Sequence, residues 1–232
     1  MPRAMSFLRR AAALALLLAL LSGGAAGAAV TESVVPGGIS FAIPEDGCAL
    51  FIDLDAKRMT VFLDGSVVAT YPVSGGKPET PSPVGTWTIV SIASWGEGFG
   101  GSWLGLDVPW GTYGIHGTKT PWVVGQRNVS HGCIRMRDED VAKLKKIVTL
   151  GTVVHIRHNS LPFRELKNGM IGSDVRRVQA MLRQLGFYSG SADGVFGNET
   201  MRAVIAFQQA HGLKADGVVD RATFDLMASL TS

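Results

Sequence analysis

The spacing of apolar residues changes once along this chain, and the change limits the fold to two unlike domains. From residue 46 to residue 158 the apolar residues follow the alternation that β-strands require, whereas beyond Pro162 they recur with the helical period of about 3.6. A single sheet or a single helical bundle cannot satisfy both patterns. The sequence therefore predicts a mainly β domain over 46–158, a linker over 159–163 and a small all-α domain over 164–232.

Alternation and β-branched content predict individual strands in the first domain. They lie at 50–54, 59–63, 67–73, 86–90 and 152–156. Asp64-Gly65, between the second and the third, is typical of tight hairpin turns. One helix is expected at about 138–148, because three acids begin an apolar stripe there and lysines end it. The first domain is thus predicted to be mainly β with one embedded helix.

The C-terminal domain is predicted to hold three helices, over about 173–185, 198–211 and 220–232. Ser173 is the expected N-cap of the first helix, and Gly186 ends it. The triplet Asp-Gly-Val occurs at 193–195 and again, at an offset of 23, at 216–218. Two copies are too few for a repeat array, so we expect a compact module of roughly 65 residues that folds by itself.

The first 28 residues have the composition of a secretory signal peptide. Three arginines and no acid accompany an unbroken apolar run over 11–21, and residues 26–28 read Ala-Gly-Ala, a suitable cleavage site. The run is too short to remain as a membrane-spanning helix. We expect a protein secreted to the periplasm or cell wall, with no stable membrane anchor after cleavage and a loose leader over 29–45. An uncleaved N-terminal anchor is the alternative.

The charge balance gives no support for a nucleic-acid partner. The chain has 22 Lys and Arg against 19 Asp and Glu, a net charge of +3. The three arginines of the predicted signal peptide account for the whole excess. Binding to nucleic acid requires a clustered basic face, so we expect none.

Two glycine-rich segments hold the residues that can carry chemistry. Segment 113–118 reads Tyr-Gly-Ile-His-Gly-Thr, and segment 130–136 reads Ser-His-Gly-Cys-Ile-Arg-Met. A thiol reacts as its thiolate, so Cys133 needs a neighbouring imidazole to take its proton. The imidazole needs a partner on its other nitrogen to fix the tautomer. The glycines leave backbone groups accessible for that purpose and for an oxyanion hole.

Other interpretations remain open from these residues alone. Cys133 could be a buried structural thiol, or it could form a disulfide with Cys48, which a secreted protein permits. His116, His131 and Cys133 could together bind zinc. The Gly-rich segment 96–102 lies among the five tryptophans of the chain. It is expected either to pack in the core or to gate the site as a mobile flap.

The two glycine-rich segments resemble the signature of the YkuD family of L,D-transpeptidases. That signature is a His, a variable loop, then Ser/Thr-His-Gly-Cys, an apolar residue and Asn or Arg. The segment 80–89 resembles an upstream motif of the family, with Ser82 and Pro83 as two extra residues. The resemblance implies a β-sandwich or barrel with one embedded helix.

The resemblance also implies a role for each residue of the signature. Cys133 would be the nucleophile, His116 the general base and the backbone carbonyl of Gly117 the partner of that base. His131 and Ser130 would line the site. The N–H groups of Gly132 and Cys133 would stabilise the oxyanion. Arg135 would either bind a substrate carboxylate or support the loop.

The C-terminal module resembles the peptidoglycan-binding domain of the PG_binding_1 type, through the helix 173–185 and the two Asp-Gly turns. Together the resemblances imply a peptidoglycan L,D-transpeptidase with stem peptides and the sacculus as partners. It would release D-Ala from a tetrapeptide stem, form 3→3 cross-links or attach proteins to the wall, and be inhibited by carbapenem-type β-lactams. No metal or organic cofactor is implied. An L,D-carboxypeptidase with the same acyl-enzyme and a non-catalytic wall-binding protein are the alternatives.

Overall fold

The computed structural model describes residues 30–35 and 39–232, so the predicted signal peptide lies outside the described residues. The first two strands of the described residues, β1 (Val30–Val35) and β2 (Ile39–Pro44), pair antiparallel. The prediction of a loose leader over 29–45 is therefore wrong. Ile43 is fully buried against a small cluster that includes Phe51 and Phe62. The prediction gave most weight to the proline and glycines at 36–38. The segments on both sides are rich in β-branched residues, which favour strands.

The first domain is built on one eight-stranded sheet with the lateral order β5-β4-β3-β10-β6-β7-β8-β9. Its strands are β3 (Cys48–Asp53), β4 (Arg58–Leu63), β5 (Ser66–Pro72), β6 (Gly85–Ala93), β7 (Trp103–Leu106), β8 (Tyr113–His116), β9 (Ile134–Arg135) and β10 (Val153–Arg157). All five predicted strands are confirmed, with small shifts at their ends. The short strands β7, β8 and β9 were not predicted, and they carry the site described below.

The sheet curls back on itself, because its two outer strands meet. The N–H of Ser74, just after β5, donates to the carbonyl of Arg135 in β9 at 2.9 Å, and the N–H of Arg135 donates to the carbonyl of Ser74 at 2.7 Å. The apolar core lies inside this curl and includes the fully buried Ile89, Leu104 and Ile115. The one α-helix of the domain is α1 (Asp138–Leu144). The predicted mainly β fold with an embedded helix is thus confirmed.

The C-terminal domain contains the three predicted helices, α2 (Ser173–Gln184), α3 (Asn198–Ala210) and α4 (Arg221–Thr231). Asp220 caps α4 by accepting from the N–H of Thr223 at 2.8 Å. Ser173 is not the N-cap of α2: Gly172 takes that position, and the buried Ser173 Oγ has no hydrogen-bond partner among the described residues. Among those same residues, no helix is long and apolar enough to cross a membrane.

The repeated Asp-Gly-Val triplets are held by two equivalent buried glutamines. The side-chain nitrogen of Gln179 lies 2.9 Å from Asp193 Oδ1 and 3.1 Å from Thr200 Oγ1, and its oxygen accepts from the N–H of Gly194 at 2.8 Å. The second copy has the corresponding contacts among Gln208, Asp216, Gly217 and Thr223. Because each glutamine is fully hydrogen-bonded, it can fix its turn inside the core.

The helical domain packs against the β domain through two buried tryptophans. The guanidinium of Arg176 in α2 lies over the ring of Trp87, 5.1 Å from its centroid. Gly194 contacts the ring of Trp110 so closely that an added Cβ would lie 2.3 Å from it. The two tryptophan rings meet edge to face at 5.2 Å. We call these contacts the interdomain seam.

Candidate active site

Strand pairing brings the two motif segments together. β8 ends at His116 and β9 begins directly after Cys133; the two strands run parallel, with Ile115 opposite Ile134 and His116 opposite Arg135. Continuing this register places Cys133 beside Gly114. Since alternate residues of a strand share a face, the Cys133 side chain approaches the face that carries His116. The sequence-predicted base is therefore the last residue of β8, and the sequence-predicted nucleophile directly precedes β9, the neighbouring strand at the edge of the sheet.

His116 is held in a defined tautomer. The side chain is buried, and its Nδ1 lies 2.6 Å from the carbonyl oxygen of Gly117. A carbonyl can only accept, so Nδ1 carries the proton and donates, which leaves Nε2 unprotonated. Burial lowers the pKa of His116; the hydrogen bond to Gly117 opposes this shift, and the charge of Arg135 adds to it. The imidazole is thus neutral near pH 7 and able to accept a proton.

Aromatic side chains surround this imidazole. The ring of Trp103 stacks on His116 with centroids 5.8 Å apart, and Phe99 meets it edge-on at 4.9 Å. Trp95 stacks on Trp103 at 4.0 Å. The Gly-rich segment 96–102 therefore packs against the base, and the carbonyl of Phe99 accepts from the N–H of Gly117 at 3.0 Å. Only the clustering of tryptophans signalled this wall in the sequence.

Cys133 and Cys48 are both free thiols. Cys48 is buried at the start of β3, and burial raises its pKa to about 11. Cys133 is half-buried; burial raises its pKa, while a hydrogen bond from the backbone of Gly114 and the charge of Arg135 oppose the rise. The structure therefore does not contain the alternative disulfide. Burial favours the protonated thiol of Cys133, and the register of β8 and β9 puts this residue near the strand end that carries the His116 imidazole.

The Ser130 side chain organises the turn that leads into Cys133. Its hydroxyl donates to the carbonyl oxygen of Cys133 at 2.6 Å and accepts from the N–H of Gly132 at 3.0 Å. The N–H of Gly132 is thus already hydrogen-bonded, which argues against its predicted role as an oxyanion donor. The N–H of Cys133 has no hydrogen-bond partner among the described residues and stays a candidate for that role.

Tyr113 also lines the site, a role that the motif did not indicate. Its ring packs on Gly132, where an added Cβ would lie 2.5 Å from the Tyr113 Cε1 atom. Burial raises the pKa of Tyr113, a hydrogen bond from the Trp110 side chain opposes the shift, and the nearby charge of Cys133 adds to it. Tyr113 therefore connects the nucleophile turn to Trp110 and the interdomain seam. Its position directly before Gly-Ile-His was the only sequence signal.

The remaining motif residues differ in their surroundings. His131 is exposed on the nucleophile turn. Arg135 is half-buried, and its guanidinium forms no ion pair within the described part of the chain, although its charge acts on both Cys133 and His116. In that same part, no group of three or more His, Cys, Asp or Glu side chains is placed to hold a metal ion. The zinc alternative therefore has no converging ligand set there.

Two family models match the chain. Residues 49–156 match the YkuD model, described as the L,D-transpeptidase catalytic domain. Residues 171–227 match the PG_binding_1 model, described as a peptidoglycan binding domain. These matches define the class of protein: a chain with a domain of the YkuD L,D-transpeptidase type followed by a domain of the PG_binding_1 type.

Two named sequence relatives agree with this class. The Bacillus subtilis (strain 168) protein YkuD, named as an L,D-transpeptidase, is 42% identical over 106 residues, or 45% of this chain and 63% of YkuD. YqjB of the same strain, also named as an L,D-transpeptidase, is 31% identical over 134 residues, or 50% of this chain and 75% of YqjB. A solved L,D-transpeptidase from Mycobacterium smegmatis is 26% identical with a TM-score of 0.42, over 53% of this chain and 64% of that one.

The match to YkuD spans less than two thirds of that relative, whereas the match to YqjB spans three quarters. The chain belongs to the YkuD family of L,D-transpeptidases, and its C-terminal domain is of the PG_binding_1 type.

Proposed function

We propose that this protein is a peptidoglycan L,D-transpeptidase that acts through a thioester on Cys133. The observation that carries the proposal is the bond between His116 Nδ1 and the Gly117 carbonyl, which leaves Nε2 free on the face that Cys133 approaches. Acyl transfer requires a nucleophile next to a base, and a third group that orients the base.

In the first half-reaction the thiol attacks the carbonyl between the third residue of a donor tetrapeptide stem and its terminal D-Ala. His116 Nε2 takes the thiol proton as the S–C bond forms, and the carbonyl becomes an oxyanion. The C–N bond then breaks, His116 returns the proton to the leaving amine, and D-Ala departs. The Cys133 thiol and the His116 imidazole are both neutral before the reaction begins. The base is therefore needed at the moment of attack and does not have to maintain a resting thiolate.

In the second half-reaction an amine of a neighbouring stem attacks the thioester. The new C–N bond forms, the C–S bond breaks, and the amine proton passes through His116 to the Cys133 sulfur. The product is a 3→3 cross-link. The same thioester reacts with water in an L,D-carboxypeptidase and with a protein lysine in protein attachment to the wall. We propose the stem amine as the acceptor because the wall-binding module keeps the enzyme on cross-linkable polymer.

Other groups of the site can stabilise the oxyanion and bind the substrate. The free N–H of Cys133 is our candidate for stabilising the oxyanion. The unpaired guanidinium of Arg135 can receive a stem carboxylate through two parallel hydrogen bonds. His131, exposed on the turn, would contact bound substrate. Ser130 and Gly132 shape the turn that presents the thiol.

The same proposal includes the location and partners of the protein. Its N-terminal 28 residues would direct secretion, and the module would bind the sacculus. Carbapenem-type β-lactams would acylate Cys133, because their strained carbonyl presents the same electrophile as the donor stem. We propose no metal or organic cofactor for the reaction, since each proton transfer is assigned to His116.

Product analysis tests this function. A protein that begins at residue 29 and keeps both domains is incubated with defined disaccharide-tetrapeptides. The products are then separated, and their masses are measured by mass spectrometry. We expect free D-Ala and a dimer lighter than two substrates by one D-Ala. Tripeptide without dimer would make the protein an L,D-carboxypeptidase. No D-Ala from any tetrapeptide would contradict the proposed function.

A further inference from the structure

A cleft of about 570 Å³ lies between the two domains, and the reaction described above does not use it. The β domain contributes Pro81, Ser82, Val84 and His158, and the linker contributes residues between 159 and 163. The C-terminal domain completes the walls with Arg164, Leu166 and residues of α2 and α4. We call it the seam cleft. Its walls belong to both domains, so neither family resemblance assigns it a role.

The contacts across and beside the seam cleft hold its walls in place. Arg176 lies over Trp87, and Gly194 packs on Trp110. Inside the cleft, Arg164 Nε lies 2.6 Å from Asp174 Oδ2 and its Nη2 lies 3.0 Å from Oδ1, a two-point ion pair between the residue after the linker and α2. A further bond joins Arg164 to the carbonyl of Ile171 at 2.7 Å. The C-terminal end of the linker is therefore attached to a residue that is fixed on the helical domain.

Two arginines in the cleft are held by aromatic rings instead of carboxylates. The guanidinium of Arg177 lies 5.1 Å from the centroid of Phe224, and that of Arg221 lies 4.4 Å from the centroid of Phe163. The two rings are themselves 5.6 Å apart. Stacking uses the face of a guanidinium and leaves its N–H edge free to donate. Two adjacent donor edges are thus presented at one place.

The acids near these arginines do not neutralise them. Asp174 is the acid that lines the cleft, and it is paired with Arg164. Arg177 forms no ion pair among the described residues. Arg221 has one contact, to Asp225 at 3.7 Å, between side chains that are 63% and 61% exposed. Such an exposed pair contributes little to stability, so a ligand carboxylate can replace Asp225 as the partner of Arg221.

The cleft also lies next to the nucleophile turn. Thr80 Oγ1 donates to the carbonyl of Ser130 at 3.0 Å, and the carbonyl of Pro81 would lie 3.2 Å from a Cβ added to Gly132. One face of the segment 80–84 therefore packs on the turn before Cys133, while Pro81, Ser82 and Val84 line the cleft. This single segment therefore contacts both the nucleophile turn and the cleft.

We propose that the seam cleft binds the free carboxylates of a peptidoglycan stem peptide through Arg177 and Arg221. The inference rests on the proposed function, which makes stem peptides the substrate. The planar guanidinium fork matches a carboxylate in geometry and charge. The helical domain then completes a substrate site with the β domain, in addition to attaching the protein to the wall.

Equilibrium binding tests this proposal without turnover. The Cys133→Ala protein is titrated calorimetrically with a tetrapeptide stem carrying free carboxylates, with its carboxamide form, and with the disaccharide lacking a peptide. Arg177→Gln with Arg221→Gln should weaken binding of the acidic stem about tenfold or more, since charge-assisted hydrogen bonds are lost. The carboxamide and the disaccharide should bind both proteins equally. Arg183→Gln, an exposed arginine of α2 outside the cleft, is the matched control and should change nothing.

The proposal would be overturned if the Arg177→Gln, Arg221→Gln variant bound the acidic stem as tightly as its Cys133→Ala parent. The melting temperatures of the two proteins must be the same for this comparison. Equal binding of the acidic and carboxamide stems by the parent would also overturn the proposal. In the active enzyme the double substitution should raise KM for the acidic stem much more than KM for its carboxamide form. Failure of the wild-type protein to form any acyl-enzyme would contradict the proposed function, whereas the calorimetric result would still decide the role of the cleft.

Discussion

Nδ1 of His116 lies 2.6 Å from the carbonyl oxygen of Gly117, and this contact determines which nitrogen of the imidazole is free. A backbone carbonyl cannot change its protonation, so it fixes the tautomer more simply than a carboxylate would. Burial on β8 beneath Trp103 and Phe99 holds the ring in place. The base is thus oriented by the fold before substrate arrives.

Replacement of His116 should therefore affect acylation far more than folding. We expect His116→Ala to lower the rate of acylation by about 10²–10⁴, the usual contribution of a positioned acid–base group. His131→Ala should have a smaller effect, because His131 is exposed on the turn. Stopped-flow measurement of carbapenem acylation checks both. The opposite order of effects would mean that His131 is the base.

The pH dependence of acylation should report the lowered pKa of His116. The imidazole works only when neutral, so the rate should fall as it becomes protonated on the acid side. Burial lowers its pKa, so the midpoint of this fall should lie below about 6.5, the value for a free histidine. The rate should be level around pH 7–8. A midpoint above 7 would show a histidine stabilised in its charged form, which this site does not predict.

Ser130 should matter through the geometry of the nucleophile turn. Ser130→Ala removes the bonds to the Cys133 carbonyl and the Gly132 N–H. At about 0.5–1.5 kcal/mol for each bond, we expect a loss of roughly 1–3 kcal/mol in the free energy of unfolding, together with slower acylation. Ser130→Thr retains the hydroxyl and is the control. If the alanine variant keeps full activity and stability in denaturant titrations, the turn does not depend on this side chain.

The contact between Gly194 and Trp110 allows a matched test of the seam. Gly194 has φ of 78° with Trp110 against it, whereas Gly186 has φ of 80° with nothing within 4 Å of an added Cβ. Alanine at either position should cost about 1–2 kcal/mol for the left-handed backbone. Gly194→Ala should cost about 1–3 kcal/mol more, because the new methyl group overlaps the indole.

The Gly194→Ala and Gly186→Ala variants should also differ in activity. Trp110 supports Tyr113, whose ring packs on the nucleophile turn. Gly194→Ala should therefore slow carbapenem acylation, and Gly186→Ala should leave it unchanged. Indistinguishable melting temperatures and acylation rates for the two variants would show that the seam does not transmit strain to the site.

Local patterns predicted those parts of the fold whose residues determine their own conformation. The hairpin of β4 and β5 and the three C-terminal helices follow from alternation, the Asp64-Gly65 turn and helical periodicity. Strands β7, β8 and β9 were missed because they are short and because Gly105 and Gly114 interrupt the alternation. Such segments become strands only by pairing with neighbours, and that pairing is not visible in sequence.

The site was predicted as residue types but not as hydrogen bonds. The motif indicated Cys133 and His116, and strand pairing brings them together. It could not show that the N–H of Gly132 is used by Ser130, because that depends on the turn. It gave Tyr113 no role, since the contact with Gly132 arises only in three dimensions. Ser173 was expected to cap α2 by residue preference, yet Gly172 takes that position and Asp174 pairs with Arg164 instead.

Intact-protein mass spectrometry of the acyl-enzyme tests the central claim, that Cys133 carries the acyl group, most directly. The protein is mixed with a disaccharide-tetrapeptide, quenched in acid and weighed, then digested to locate the adduct. We expect a mass increase equal to the substrate minus D-Ala, on the peptide that contains Cys133. The adduct should persist in Cys48→Ala and be absent from Cys133→Ala. An adduct on any other residue, or continued release of D-Ala by Cys133→Ala, would contradict the account.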